Sequence, residues 1–450
     1  MSLSLIRKPF VMQGLAITVA ALMMNSTHAA SEQEQIQQLR DEVKELRALL
    51  QQYVPQAKQQ NSIAQTQQHS NLAETHPDHP ANVSVVSEVP KKSQLVFNTA
   101  SGAEVKLHGF LRGDASYQAK GGDGIFNRIN KVDLEGAEKN SDRFYSTATV
   151  TRLGLDFKAP VEGANVGGKL EVDFRGGTSN DTIRIRHAYL TLNDWLFGQT
   201  TSTFLATDLQ PEMLDFNSPL GIGTYRTPMV RYSGKFNPDT SYAIALEKGN
   251  DDNRAPALTS KLKYDFAEGQ GTTSARALLT EARSKATYDK DNNRLNAGDS
   301  ELGWGVAVGA KYKFTDALQA MIDYSHVKGD SKFLLYTNNA YNVNPNNFGL
   351  NLNEFDALTV GTTYQITPKL RSTLAYGAMF ADDSNDFAKQ AIVAKDTAQN
   401  KTLQQGWWNI MYSPVTPITF GLEYIYGERK TFDGQKGKDN RVGAMARYNF

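Results

Sequence analysis

The feature that most constrains the fold is a two-residue alternation of apolar and polar side chains, which recurs between residues 95 and 450. In one segment the apolar face consists of Trp304, Val306, Val308, Ala310, Tyr312 and Phe314. Because successive side chains of a strand point to opposite faces, this alternation predicts β-strands between an apolar and a polar environment. Some connections are short, such as 314–318, and others are long and polar, such as 283–300, 328–354 and 381–403. Short turns at one end and long loops at the other are typical of a transmembrane β-barrel.

The segment has room for 16 strands, since it contains 356 residues and a membrane strand takes roughly 10. We predict strands that start near residues 105, 143, 166, 182, 194, 228, 240, 257, 271, 301, 317, 355, 369, 404, 417 and 441. Counts of 14 and 18 stay open. The predicted fold class is all-β: a 16-stranded antiparallel transmembrane β-barrel over residues 95–450, with a short N-terminal α-helical coiled coil. A barrel of this size encloses an aqueous lumen.

The final segment, RVGAMARYNF, alternates in the same way up to Phe450. It resembles the C-terminal signal by which the outer-membrane assembly machinery recognises its clients. We therefore expect a location in the cell outer membrane.

Composition excludes several other classes. The chain has no cysteine, which rules out disulfides and cysteine-based metal sites. Its 48 basic and 48 acidic residues balance, which argues against binding to nucleic acid. The mean hydropathy of −0.48 excludes a bundle of membrane-spanning helices, whereas the alternating strands of a barrel are compatible with it.

The first 94 residues are predicted to form three segments. Residues 1–30 have the charged, apolar and small-residue order of a secretory signal peptide, with cleavage after Ala29 or Ala30. Residues 31–55 contain a heptad seam, and Pro55 ends the helix. Residues 56–94 are rich in Gln, Asn, Ser, Pro and His, which predicts a flexible linker.

The heptad seam predicts a coiled coil in the periplasm. Its apolar positions are Ile36, Leu39, Val43, Leu46, Leu50 and Tyr53. Ile and Val at the a positions with Leu at the d positions would by themselves favour a dimer. So short a seam does not determine the number of copies, which the sequence leaves open. A lone amphipathic helix on a partner surface is the alternative. A contact between this segment and peptidoglycan would make the barrel an anchor for a structural envelope tether.

The polar face of the predicted strands carries more cations than anions. Because a charged side chain is costly on the lipid face, these cations are expected to line the lumen. The predicted substrate-binding residues are Arg112, Arg152, Arg175, Arg184, Arg186 and Arg231. An arginine-rich wall attracts anions and can bind carboxylates or phosphates through two parallel hydrogen bonds. The alternative is that these arginines pair with acids in ladders that stiffen the wall.

The long segment 202–226 after the fifth predicted strand is expected to fold into the lumen and narrow it. Its acids Asp208, Glu212 and Asp215 would then oppose the basic wall and produce a transverse field. A plain surface loop is the alternative.

No motif in the sequence indicates catalysis. The chain lacks GxSxG, HExxH and phosphate-loop patterns. The alternation places His187 in the wrong register to join the inward arginines. We therefore predict no enzyme activity, no catalytic residue, no metal site and no cofactor.

Beyond these patterns, the chain resembles the DcaP-like outer-membrane porins, a dicarboxylate channel family related to phosphate-selective porins. The matching segments are the heptad region, the polar linker, GFLRGDASY (109–117), TRLGLDF (151–157), RHAYLTLNDWLFGQTTSTF (186–204) and the terminal RYNF. The segment 186–204 also looks like phosphate-selective porins.

The resemblance implies a homotrimer of 16-stranded barrels, a periplasmic coiled coil and uptake of small dicarboxylates. The expected function is thus an anion-selective diffusion channel for dicarboxylates in contact with outer-membrane lipid. A phosphate or polyphosphate channel is the closest alternative, and the structural tether is the second.

Overall fold

The computed structural model describes residue 44 and residues 95–99, 102–137, 139–217, 219–288, 294–296 and 298–450. The chain divides into two units, residues 1–89 and residues 90–450. The predicted signal peptide, coiled coil and linker lie outside the described residues, apart from Lys44, which is helical. Within the described ranges, no helix is long and apolar enough to cross a membrane.

The described part of the second unit consists mainly of β-strands. The first half contains β1 (Leu95–Asn98), β2 (Glu104–Lys120), β3 (Arg143–Thr147), β4 (Arg152–Val161), β5 (Ala164–Gly176), β6 (Thr182–Leu192), β7 (Trp195–Thr201), β8 (Arg226–Asn237), β9 (Thr240–Glu247), β10 (Ala257–Phe266) and β11 (Gly271–Ser284). The second half contains β12 (Thr287–Tyr288), β13 (Arg294–Asn296), β14 (Asp299–Lys313), β15 (Leu318–Lys328), β16 (Tyr341–Val343), β17 (Leu350–Leu352), β18 (Glu354–Thr367), β19 (Leu370–Ala381), β20 (Asn400–Tyr412), β21 (Ile418–Thr431) and β22 (Lys436–Asn449). The helical elements are a 3-10 turn at Ile129–Lys131 and α1 at Asp386–Ala394.

The large sheet closes on itself, because β2 pairs antiparallel with β22 as well as with β3 and β4. Eighteen described strands belong to this sheet. β3 and β4 pair with successive parts of β2 and therefore count as one wall strand. β1 and β22 pair with successive parts of β2 on its other edge and also count as one. The wall therefore has 16 strands. The predicted count of 16 is confirmed, and the counts of 14 and 18 are excluded.

The two faces of the wall differ as the alternation predicted. Large apolar side chains such as Ile183 and Leu422, 67% and 61% exposed, point outward. The neighbouring inward positions are mostly polar, charged or small, as Asp323 and Ser325 show. In a closed barrel every wall strand finds backbone partners on both sides, which is the condition for crossing a bilayer with strands.

Most of the apolar core lies inside the barrel, between the long loops and the inner wall. Phe204 of loop 202–225 packs edge to face against Phe333 of loop 329–340, with ring centroids 6.3 Å apart. Ile129 and Val132 of loop 121–142 are fully buried in the same cluster. Another long loop, 382–399, contains α1, whose Phe387 packs on Phe432. Loops 329–340 and 382–399 were predicted only as polar connections, yet they carry apolar side chains that pack inside the barrel.

Glycines on the inner wall make room for loop 202–225. A Cβ atom at Gly361 would lie 2.8 Å from Pro211 Cβ, and one at Gly421 would lie 2.9 Å from Leu214 Cδ1. At Gly377 an added Cβ would overlap the backbone oxygen of Leu220. The loop therefore fits against the wall only where these positions lack a side chain.

This fit yields a prediction for Gly377→Ala. The new methyl group would collide with a backbone atom that cannot rotate away, and such overpacking costs about 1–3 kcal/mol. We expect a lower thermal transition for the folded barrel, measured by its change in electrophoretic mobility on heating. The control is Gly443→Ala, because an added Cβ there would have no neighbour nearer than 3.9 Å. Equal transitions for both variants would contradict the packing argument.

Candidate functional site

Loop 202–225 connects β7 to β8 and is held inside the barrel by buried carboxylates of the wall. The backbone N–H groups of Leu214 and Asp215 donate to the carboxylate of Glu423 over 2.9 and 2.7 Å. The N–H of Thr203 donates to Glu247 over 2.7 Å. Because these backbone groups are buried and would otherwise lack partners, the contacts fix the path of the loop.

The three acids of the loop are bound to bases of the wall. The ion pairs are Asp208 with Lys261 at 2.5 Å, Glu212 with Arg371 at 2.5 Å and Asp215 with Arg441 at 2.6 Å. These bases belong to β10, β19 and β22, whereas most of the predicted binding arginines belong to β4, β5 and β6. Asp208 and Glu212 pair with bases outside the arginine wall, whereas Asp215 pairs with Arg441 and also lines the cavity beside that wall, so the transverse field stays a prediction. The structural role of the three acids is to tether the loop.

Three of the predicted binding arginines form a ladder with two acids. Asp173 accepts hydrogen bonds from Arg184 and Arg186, each over 2.7 Å. Glu171 accepts one from Arg186 over 2.8 Å and lies 3.4 Å from Arg152. The alternative of a wall ladder thus describes these contacts correctly. Three guanidinium groups share two carboxylates, so the ladder keeps a positive charge.

The other predicted arginines differ in their surroundings. Arg112 pairs with Asp114 at 2.6 Å and also donates to the carbonyl oxygen of Leu214 over 2.5 Å. Arg175 lies over the ring of Phe216, 5.7 Å from its centroid. Of the six predicted arginines, Arg112, Arg152 and Arg186 line the cavity described below, whereas Arg175, Arg184 and Arg231 do not.

One aromatic side chain of the loop faces this basic wall. The guanidinium groups of Arg184 and Arg186 lie 5.8 and 5.6 Å from the ring centroid of Phe216. Cations are attracted to the face of an aromatic ring, which stabilises this close packing of like charges.

Between the basic wall and the loop lies a cavity of about 290 Å³. The wall contributes Arg112, Arg152, Arg186, His187, Thr201 and Arg226. The loop contributes Thr207, Gln210, Pro211, Met213, Asp215, Phe216, Pro219 and Thr224. Four guanidinium groups therefore face hydroxyl, amide and apolar groups and the carboxylate of Asp215 across a space large enough for a small organic anion.

The prediction that His187 lies in the wrong register is wrong, because β6 contains a β-bulge. Glu171 pairs with His187 and Val172 with Ile185, which leaves Arg186 as the extra residue. An extra residue shifts the alternation by one, so both Arg186 and His187 face the lumen. Strict alternation in the sequence gives no sign of such a bulge.

Arg226 is the second lining residue that the sequence analysis missed. It is the first residue of β8. Pro228 and Val230 are apolar and exposed, so alternation places the even-numbered residues of this strand, Arg226 included, on the outer face. At the junction with the loop this assignment no longer holds, and Arg226 lines the cavity. Its position as the last residue of the predicted constriction segment 202–226 was the available clue.

The loop core above the cavity contains a buried acid. Asp330 is fully buried and accepts the backbone N–H groups of Lys332 and Phe333 over 3.1 and 2.9 Å. Burial outweighs these hydrogen bonds and raises the pKa of Asp330 to about 6. The turn it forms presents Phe333 to Phe204 and so supports the constriction loop.

Comparison with known proteins decides the family. The family model of the DcaP outer membrane protein matches residues 35–450. The chain belongs to the DcaP outer membrane protein family. Membership of this family and the barrel fold identify it as an outer-membrane channel of the porin type.

Solved structures agree with this assignment. The outer membrane channel DcaP of Acinetobacter baumannii is 46% identical, with a TM-score of 0.71, over 79% of this chain and 99% of that chain. OmpT of Vibrio cholerae in its trimer form is 14% identical with a TM-score of 0.52, over 77% and 99%. OmpF of Salmonella typhi in complex with daunomycin is 15% identical with a TM-score of 0.51, over 79% and 100%. The last two show the fold alone. No curated protein sequence matches the chain significantly.

The ladder of this DcaP-family channel yields a prediction for Asp173→Asn. The side chain of Asp173 is fully buried, and its loss of charge would leave Arg184 and Arg186 without their shared acceptor. Breaking such a contact costs about 2–3 kcal/mol here, because Arg184 is partly exposed. We expect a lower thermal transition and, in channels that do fold, a stronger preference for anions.

The control for Asp173→Asn is Asp316→Asn, which removes an exposed acid paired with Lys313 in a short turn. Asp316 is fully exposed and Lys313 is about half exposed, so no resolvable change in stability is expected. A thermal transition unchanged by Asp173→Asn would show that the ladder does not stabilise the wall.

Proposed function

We propose that this channel is a passive, anion-preferring route for small dicarboxylates across the outer membrane. The observation that carries the proposal is the cavity at the constriction, where four guanidinium groups line the wall. Arg112, Arg152 and Arg186 pair with acids of the wall, and Arg226 adds a fourth guanidinium, so cations outnumber anions among the residues that line the cavity.

The mechanism follows from the chemistry of the guanidinium group. Its planar array of donors matches the two oxygens of a carboxylate, and it can replace part of the hydration shell of the anion. Several arginines along the channel give several weak binding sites, which allow the solute to enter without being trapped. A dianion can contact two such sites at once, so it is favoured over a monoanion of similar size.

The proposal includes assembly and location. We propose a homotrimer in contact with outer-membrane lipid, with the heptad segment 31–55 as a coiled coil in the periplasm that can contact peptidoglycan. A trimer form is known for OmpT, whose barrel is similar. The broad apolar outer face supports contact with lipid or with a second barrel wall.

Ion selectivity is the most direct test of the proposed function. In planar bilayers with a potassium chloride gradient, the reversal potential is expected to have the sign of chloride preference. Succinate is expected to interrupt the current at lower concentration than phosphate does. A cation preference would contradict any anion channel, and stronger interruption by phosphate would favour the phosphate or polyphosphate alternative.

A double variant tests the role of the ladder arginines. Arg184→Ala with Arg186→Ala is expected to weaken the interruption of current by succinate about tenfold, since a hydrogen bond to a charged group contributes roughly 1.5–3 kcal/mol. The measurement is the succinate concentration that halves the single-channel current.

The matched control is Lys263→Ala with Arg447→Ala, which removes two positive charges, neither of which lines the cavity, whereas Arg186 of the test pair does. We expect this control to change the half-blocking concentration less than twofold, while the reversal potential shifts modestly. Equal effects of the two double variants would mean that total charge, and not the cavity, determines the binding of succinate.

A further inference from the structure

Arg226 differs from the other arginines of the cavity in forming no ion pair with any residue that the structure describes. Arg112, Arg152 and Arg186 each form an ion pair with an acid. Among the described residues, no hydrogen bond or ion pair of the Arg226 side chain occurs, and its buried Nε–H lacks an acceptor. A guanidinium whose buried Nε–H lacks an acceptor is costly, so an anion in the cavity would be bound favourably at this position.

His187 lies at the same cavity and has one ring nitrogen available. Its Nδ1 is 2.9 Å from Oγ1 of Thr200, and its Nε2 is 3.8 Å from the nearest oxygen of Glu171, too far for a hydrogen bond. If the Thr200 hydroxyl donates to Nδ1, the neutral ring carries its proton on Nε2. His187 then offers an N–H donor to a ligand without adding another positive charge.

Arg226 and His187 are also close enough to interact electrostatically. The one comes from the start of β8 and the other from the bulge in β6, and Thr200 lies on β7 between them. Three consecutive wall strands thus bring a guanidinium, an imidazole and a positioning hydroxyl to one end of the cavity.

We propose that Arg226 and His187 form a carboxylate-binding subsite of the constriction, with Thr200 as the positioning residue that sets the tautomer of His187. The inference rests on the proposed dicarboxylate channel and names where one carboxylate of the solute is bound. The fork of Arg226 binds the two oxygens, and His187 Nε2–H donates to one of them. The second carboxylate is left for the ladder arginines.

The test is the interruption of single-channel current by succinate and by acetate in the full-length channel. Arg226→Gln is expected to raise the half-blocking concentration of succinate about tenfold, as the loss of one hydrogen-bonded charge predicts. Arg447→Gln is the matched control, because it removes a lumen arginine that also lacks an acceptor for Nε but does not line the cavity. We expect less than a twofold change for this control.

Variants of the other two residues separate binding from charge. His187→Leu is expected to weaken succinate block about threefold to tenfold while leaving the reversal potential unchanged, and His187→Gln, which keeps a donor, is expected to restore part of the block. Thr200→Val is expected to weaken the block, and Thr200→Ser to restore it. A purely structural role of Thr200 would lower the thermal transition without this rescue.

The outcomes distinguish this subsite from the proposed function. If wild-type channels prefer anions and are blocked by succinate, but Arg226→Gln and Arg447→Gln behave alike, the subsite is wrong and the proposed function stands. If wild-type channels show no block by succinate, the proposed function itself fails.

Arg226→Lys keeps the positive charge without the forked guanidinium, and it serves as the second variant if Arg226→Gln lowers the yield of folded barrel. A half-blocking concentration equal to that of wild type would then overturn the subsite.

Discussion

The closure of the sheet between β2 and β22 determines the rest of the structure. Hydrocarbon offers no hydrogen-bond partners, so every backbone N–H and C=O group of the wall must find one inside the protein. At the seam the N–H of Phe450 donates to Gly109 O over 3.1 Å, and the N–H of Gly109 donates to Phe450 O over 3.2 Å. Once the edges are joined, each strand has only an outer, lipid-facing side and an inner side. The charges therefore collect inside, and the arginine wall is a consequence of closure.

The strands could be predicted from the sequence because lipid and water impose a strict alternation on them. All 16 predicted starts lie within five residues of the observed ones, for example 257 for β10 and 441 for β22, which begins at Lys436. The same alternation placed Arg112, Arg152 and Arg184 on the inner face. Each of these positions follows from local spacing alone.

What the sequence did not reveal depends on contacts between distant residues or on a break in the alternation. Glu212 pairs with Arg371, 159 positions away, so nothing near Glu212 indicates that its charge is compensated. The bulge at Arg186 places His187 on the inner face of the wall, where strict alternation would place it on the outer face. The start of β8 departs from the alternation in the same way at Arg226. The loops were misjudged for a different reason, because their average polarity concealed short apolar runs such as 333–336, which pack inside the barrel.

The uneven compensation of charge in the constriction also makes the channel sensitive to the medium around it. The tethers Asp215–Arg441 and Glu423 with the loop backbone are buried and little affected by dissolved salt, whereas the attraction of the channel for a distant anion acts through water. In a medium of about 0.01 M salt this attraction extends roughly 30 Å, against about 10 Å at 0.1 M. A cell in dilute fresh water would thus draw anions toward the pore from farther away than a cell in a salty host fluid, while the width of the pore stays the same.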